Sequence, residues 1–166
     1  LKYVVNTMFD ESIRFLPVVS DGKPFGVISG REIGKIFARH FGSKYRARDL
    51  MTYRYTTISI RDSLKSFLEK LRSYDDKYSI VLFNEDVVGV VTPIDILKHL
   101  RQKNTIDIKT SIIELMTSNP YVAKPGDKCD KIVDVMAARN FSGVPIIDRR
   151  LEGIIRYSCF LQFFEV

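Results

Sequence analysis

Apolar residues run along this chain in two alternating rhythms, and the middle third shows both clearly. Thr56-Thr57-Ile58 is a short β-branched segment. From Asp62 to Ser73 the apolar positions are Leu64, Phe67, Leu68 and Leu71, the spacing of one helix face. Tyr78 to Phe83 is a continuous apolar run of strand length, Asn84-Glu85-Asp86 is a turn, and Val87 to Val91 is a second strand. Thr92-Pro93 then opens a helix carrying Ile94, Ile96, Leu97 and Leu100. The predicted order is strand, helix, strand, strand, helix.

The same order recurs. Gly26-Val27-Ile28-Ser29 returns as Gly89-Val90-Val91-Thr92, 63 residues on, and as Gly153-Ile154-Ile155-Arg156 after a further 64. Leu50-Met51-Thr52 returns as Leu115-Met116-Thr117, 65 residues later. A period of this length marks an internal repeat. In the third copy the pattern predicts a first strand at Tyr121-Val122-Ala123 and a helix over Asp127 to Arg139. Paired strands follow at Val144 to Ile147 and Leu151 to Ile155, then a closing helix over Tyr157 to Phe164. In the first copy, Leu1 to Met8 is the end of a helix, Phe15 to Val19 and Phe25 to Ile28 are hairpin strands joined through Asp21-Gly22, and Ile33 to Phe41 is the closing helix. Counting back 65 residues from Leu50 falls before residue 1, so the first copy lacks its opening strand. The chain starts at Leu rather than Met, so residues are expected to precede it. The boundaries predicted are 1–43, 44–103 and 104–166. A unit of this size cannot bury its sheet face alone. The first and middle copies are expected to pair around the linker Gly42 to Asp49, leaving the third without a partner in the chain.

Composition narrows the class. The 166 residues are 45% hydrophobic, ordinary for a packed domain, and no apolar run nears the length that spans a bilayer. There is no signal-peptide pattern. Cys129 and Cys159 make neither a disulfide framework nor a zinc spacing, which suits reduced thiols in the cytoplasm. The net charge is +6, and residues 31–54 alone contribute +5 through Arg31, Lys35, Arg39, Lys44, Arg46, Arg48 and Arg54 against Glu32 and Asp49. That segment can attract phosphate, nucleic acid or an acidic partner, or be a solvated face.

The Leu-Met-Thr lead-in, the strands Leu16-Pro17-Val18-Val19 and Val144-Pro145-Ile146-Ile147, and above all Gly89-Val90-Val91-Thr92-Pro93-Ile94-Asp95 resemble the CBS domain family. The resemblance covers nearly the whole chain, as two complete motifs and one truncated one. It implies an α+β fold of tandem β-α-β-β-α motifs, with small sheets packed face to face and helices flanking them. It also implies clefts that take adenosine-containing ligands (AMP, ADP, ATP or S-adenosylmethionine), and a regulatory rather than catalytic role.

A nucleotide site needs donors for phosphate, a carboxylate for the ribose diol and an apolar slot for the base. The start of the closing helix supplies free N–H groups and the positive end of its dipole. Thr92 stands there behind Pro93, with Asp95 one turn on; Gly89 permits close approach and Val91 stiffens the strand edge. Ser/Thr-x-x-Asp/Glu is equally a helix capping box. Side-chain length favours Glu for the cap, so Ser29/Glu32 reads as a cap and a weaker second site, and Thr92/Asp95 as the ligand site. The third copy has Arg156 and Cys159 there, which argues against ribose, although Arg156 can reach a phosphate held by a neighbouring motif. Matching to the family places Thr57, Ile58, Tyr78, Ser79 and Ile80 at the base slot, with Tyr78 able to stack on adenine or to be an ordinary strand tyrosine. In the first copy the matching place is held by Arg14 and Phe15, and Arg31 is either a phosphate partner or a solvated helix residue.

His40 and His99 sit late in closing helices with no partner suggesting chemistry, and Met8, Met51, Met116 and Met136 hold equivalent apolar positions. No nucleophile–base pair or carboxylate dyad is visible, so an enzyme is not expected. No cofactor is required and no metal site is expected. The expectation is a ligand-sensing protein binding an adenine nucleotide, forming a homodimer or pairing with a missing fourth motif, and regulating an unidentified protein without a membrane. The alternatives are a ligand-free dimerisation module and a nucleic-acid binder using residues 31–54.

Overall fold

The computed structural model describes residues 2–11, 13–73 and 78–164, with Phe9 as backbone only. The elements are α1 (Lys2–Asp10), β1 (Phe15–Ser20), β2 (Lys23–Ser29), α2 (Gly30–Phe37), α3 (Ala47–Leu50), β3 (Thr56–Ser59), α4 (Leu64–Ser73), β4 (Ser79–Phe83), β5 (Asp86–Val91), α5 (Pro93–Lys103), α6 (Ile112–Leu115), β6 (Thr117–Ser118), α7 (Cys129–Arg139), β7 (Gly143–Ile147) and β8 (Leu151–Arg156). A π-helical turn, Ala38–Gly42, extends α2, and a 3₁₀ helix, Tyr157–Phe164, ends the chain. Leu1, assigned to the first helix from the sequence, lies outside the described residues. The α+β class is as the resemblance implies, and the middle copy's element order is as the periodicity predicts.

Two compact units result: Leu1–Met51 with Ala123–Val144 and Ile155–Val166, and Thr52–Val122 with Pro145–Ile154. In the second, β3, β4, β5 and β6 form one sheet in that order, β3 parallel to β4 and the other pairs antiparallel. Period-two alternation sends Ile58, Val81 and Val91 to one face, where they pack with Leu64, Phe67, Ile112 and Leu115. Each such side chain, fully buried, contributes about 1.5–3 kcal/mol. The opposite face carries Tyr78, Ile80 and Val90, which pack on Ile154 with Leu151 alongside. Helices α5 and α7 both stop at an asparagine in the left-handed region, Asn104 (φ 55°) and Asn140 (φ 59°), whose N–H groups bond Leu100 O and Met136 O.

Two expectations are corrected here. The middle copy's sheet is covered by Leu151 and Ile154 of the third copy, not by the first. A reciprocal exchange ties the two copies: Thr117 of the third copy's lead-in pairs with Val90, and Thr52 of the middle copy's lead-in pairs with Ile154. Val90 and Ile154 are the same position one repeat apart, so the exchange has two-fold character. The hairpin left uncovered is the first copy's, with Phe15, Val19, Phe25 and Val27 from 57% to 80% exposed. The predicted strand Tyr121-Val122-Ala123 is reduced to a single bridge at Ala123. A two-residue strand, β6, forms earlier, at the lead-in, where Gly89 leaves room beside β5 for Met116 and Thr117.

The first unit is built on hairpin β1–β2, whose turn holds Asp21 at φ 51° and Gly22 at φ 74°, the two positive values a two-residue hairpin turn requires. Val5, Met8, Ile33 and Leu161 form its core. Phe37 stacks on Phe160 with ring centroids 4.8 Å apart and meets Phe163 at the same distance. A Cβ on Gly34 would lie 2.7 Å from Tyr157 Cδ1, so glycine there is what lets α2 approach the 3₁₀ helix.

Candidate functional site

The chain passes from β5 into α5 through Thr92, which is extended (φ −137°, ψ 164°), and Pro93 takes the first helical position, where its missing N–H costs nothing. One turn on, Asp95 is only 5% exposed. Its Oδ2 accepts from Thr92 N–H at 2.9 Å and Thr92 Oγ1 at 2.7 Å. Its Oδ1 accepts from Lys98 Nζ at 2.9 Å and Thr117 Oγ1 at 3.3 Å. Four donors therefore satisfy one buried carboxylate, as its burial demands.

The length criterion separating Asp from Glu at this position does not hold. Asp49, Asp62 and Asp127 each accept from the backbone N–H three residues upstream, of Arg46, Ser59 and Lys124, at 2.7, 3.0 and 2.8 Å. Of these, Asp49 stands where Asp95 does, in the first turn of a helix whose preceding residue, Arg46, is extended, while Asp62 and Asp127 close turns ahead of α4 and α7. Thr92/Asp95 is thus a cap as well as a candidate site.

Cross-strand register aligns Thr56, Ser79 and Val91 in one row and Thr57, Ile80 and Val90 in the next. Ser79 is completely buried, and its Oγ has no hydrogen-bond partner among the described residues. It sits one register step from Thr92, on the face that Val91 shares. The other residues assigned to the base slot divide between the two faces of the sheet. Ile58 lies in the core against α4; Tyr78 (7% exposed) and Ile80 lie in the core against Ile154; Thr57 is half-buried beside Ile80 in the row. The space beside Gly89 is filled by the chain itself, since a Cβ there would meet Met116 Sδ at 2.6 Å and Thr117 O at 3.1 Å.

In the first copy Ser29 and Glu32 form the capping box. Ser29 N–H donates to Glu32 Oε2 at 3.0 Å, the Ser29 hydroxyl bonds the same oxygen, and Arg31 N–H donates to Ser29 Oγ at 3.2 Å. The Ser29 hydroxyl holds the Glu32 carboxyl below the usual range against an opposing push from burial. Phe15 stands opposite Ser29 across the hairpin and is 62% exposed; Arg14, just before it, is exposed too. The Arg31 guanidinium donates to Asn140 Oδ1 and lies beside the Tyr157 phenol, whose pKa burial raises and Arg31 partly lowers. In the third copy Arg156 N–H donates to Cys159 Sγ at 3.4 Å, a thiol in the carboxylate's place.

Lys98, Thr117 and Thr56 join the site without having been singled out in the sequence. The repeated Leu-Met-Thr lead-in marked Thr117 as structurally equivalent to Thr52, and that was the one available signal. Within the basic segment, Arg31, Arg46 and Arg48 are engaged internally, Arg46 with Gly126 O at 3.4 Å and Arg48 with Asp49 at 3.9 Å. Among the described residues no helix is long and apolar enough to cross a membrane, and no cluster of His, Cys, Asp and Glu has metal-binding geometry.

The sequence model of the CBS domain matches residues 47–102 and 112–165. A homoserine O-acetyltransferase from Methanococcus vannielii is 28% identical over 110 residues, 66% of this chain and 22% of the enzyme. Protein MJ1225 from Methanocaldococcus jannaschii superposes with a TM-score of 0.86 at 20% identity, over 99% of this chain and 64% of its own. The CBS domain pair of protein MJ0100, solved with 5′-methylthioadenosine and S-adenosyl-L-methionine, has a TM-score of 0.62 at 26% identity, over 72% of this chain and 95% of its own. The protein CBSX2, solved with AMP, has a TM-score of 0.62 at 22% identity, with the same two coverages. The chain thus spans about a fifth of the length of that enzyme and just under two thirds of MJ1225.

Proposed function

This chain belongs to the CBS domain family, and from that premise we propose that it is a ligand-sensing regulatory module whose middle copy binds an adenosine-containing molecule at Thr92 and Asp95. The observation that carries the reading is the Ser79 hydroxyl, completely buried and with no hydrogen-bond partner among the described residues, one register step from the helix start that holds a buried carboxylate. A buried hydroxyl without a partner costs about 1–3 kcal/mol, a cost that a ligand's acceptor or donor would offset. The α5 N-terminus suits a phosphate, and Asp95 suits a ribose diol. Thr57, Val91 and Pro93 are proposed to border it, and Ile58, Tyr78 and Ile80 to hold the strands from the core on either face. AMP, ADP, ATP and S-adenosylmethionine are the ligands proposed, since relatives of this fold were solved with AMP and with S-adenosylmethionine. Ser29, Glu32, Arg31, Arg14 and Phe15 are a weaker second site, and Arg156 a phosphate contact.

The boundaries 1–43, 44–103 and 104–166 are proposed for the three motifs, in a cytoplasmic protein. The exposed apolar hairpin of the first is proposed to be covered by another CBS motif, on a second copy or elsewhere in the same polypeptide. Binding would act on an unidentified regulated protein by favouring one arrangement of the paired motifs.

Calorimetric titration with AMP, ATP and S-adenosylmethionine tests the ligand reading. Heat with one of them, abolished in Asp95→Asn while the variant stays folded, supports it; no heat with any overturns it. A second reading, a ligand-free structural module, is favoured by one observation: all four donors to Asp95 come from the chain itself. The same titration separates the two.

A further inference from the structure

Lys98 lies three residues after Asp95 and donates from Nζ to Oδ1 at 2.9 Å, with 61% of its side chain exposed while that of Asp95 is 6% exposed. We propose that Lys98 is a competitor that sets ligand affinity: its ammonium holds the carboxylate oxygen a ribose diol requires, and must leave when the diol binds. This rests on the reading that ribose binds at Asp95.

The donor inventory shows why Lys98 in particular must move. A carboxylate offers about four acceptor directions, and four donors already use them. The Thr92 N–H is fixed by the helix start. The hydroxyls of Thr92 and Thr117 stand on short side chains fixed at the helix start and on the sheet edge beside Val90. An ammonium has no acceptor capacity, so it cannot share the oxygen with an incoming hydroxyl. It is also the donor on a long flexible stem with solvent around it, hence the one that can withdraw at small cost.

The other copies supply an internal comparison. The position one repeat before Lys98 is Lys35, three residues after Glu32, and its charge helps keep that carboxyl ionised. The position one repeat after is Gln162, three residues after Cys159, and its amide donates to the Cys159 carbonyl at 2.9 Å. Lysine stands there in the two copies that have a carboxylate and is absent from the copy that has a thiol. An ordinary exposed ion pair would predict a lysine in this place but no influence on a neutral ligand. Competition predicts both.

The test uses adenosine, which is uncharged, with AMP as a second probe, on the wild-type chain, Lys98→Met, and Lys65→Met as a control for removing a surface cation elsewhere. Lys98→Met is expected to bind adenosine about two- to fivefold more tightly, the size of an exposed ion pair. Wild-type affinity for adenosine should rise with salt as the pair is screened, and the affinity of Lys98→Met should not. Lys65→Met should match wild type in both. Wild-type binding with no tightening, or with weakening, in Lys98→Met overturns the inference and leaves the ligand reading standing. A wild-type chain that binds neither probe overturns both.

Discussion

Thr117 Oγ1 donates to Asp95 Oδ1 at 3.3 Å across 22 residues of sequence. The contact exists because Thr117 pairs with Val90 on the sheet edge, and that pairing exists because Gly89 presents no side chain. The third copy's lead-in thereby completes the polar shell of the middle copy's candidate site.

Gly89→Ala should therefore act on the site as well as on stability. The added methyl meets Met116 Sδ at 2.6 Å and the Thr117 carbonyl at 3.1 Å. Overpacking of this kind costs about 1–3 kcal/mol. Urea denaturation should show that loss, and Met116→Ala in the same chain should recover part of it, because the nearest clash is with a flexible side chain. An unchanged midpoint in Gly89→Ala would show that β6 is not held against β5.

The Ser29/Glu32 cap should weaken in acid. Ser29→Ala removes the hydroxyl that bonds Glu32 and accepts from Arg31 N–H, and should cost about 1 kcal/mol at neutral pH. Glu32's carboxyl is lowered in the folded state, chiefly by that hydroxyl. Its contribution is present above the ordinary value of 4.5 and is lost as pH falls through the folded value. The stability difference between wild type and Ser29→Ala should shrink on acidification below that value. A difference that stays constant would mean the hydroxyl does not act through Glu32.

Cys129 is fully buried, and burial is the main cause of a thiol pKa pushed up to about 12, with Asp49 and Asp130 adding to it. The unfolded thiol ionises near the ordinary 9.0, so folding is favoured fully below that pH and the contribution falls away as pH rises toward 12. Relative to Cys129→Ala, the wild-type chain should lose stability on going alkaline. In the native state Cys159 should react with a thiol reagent first and Cys129 only on opening. Equal rates for both would contradict the burial.

The uncovered face of β1–β2 predicts association. Phe25 is 80% exposed and Val27 59%. Phe25→Glu should lower the sedimentation-derived mass or raise solubility without changing the melting temperature, since the side chain contributes little inside its own unit. An identical mass distribution for both proteins would show that this face has no partner in the preparation.

Much of this was readable in the sequence, and for identifiable reasons. Periodicity marks the faces that Leu64, Phe67, Ile80 and Val81 bury, because those faces are set by backbone geometry alone. Ser29-x-x-Glu32 was legible as a cap because every partner lies within four residues. The capping bonds of Asp95 were open in the sequence but ranked below those of Glu32, since the distinction between Asp and Glu rested on side-chain reach in isolation.

What the sequence determined by itself was the repeat, the order of elements and the local caps, all consequences of interactions spanning a few residues. Only the tertiary structure decided which hairpins pair. Each copy carries a similar apolar sheet face, so composition could not rank the first copy above the third as partner to the middle one. The choice appears in long-range contacts: Thr52 with Ile154, Thr117 with Val90, and Tyr78 and Ile80 on Ile154. Those same contacts bring Thr117 to Asp95 and leave Phe25 in water, because a face that finds one partner withholds itself from the others.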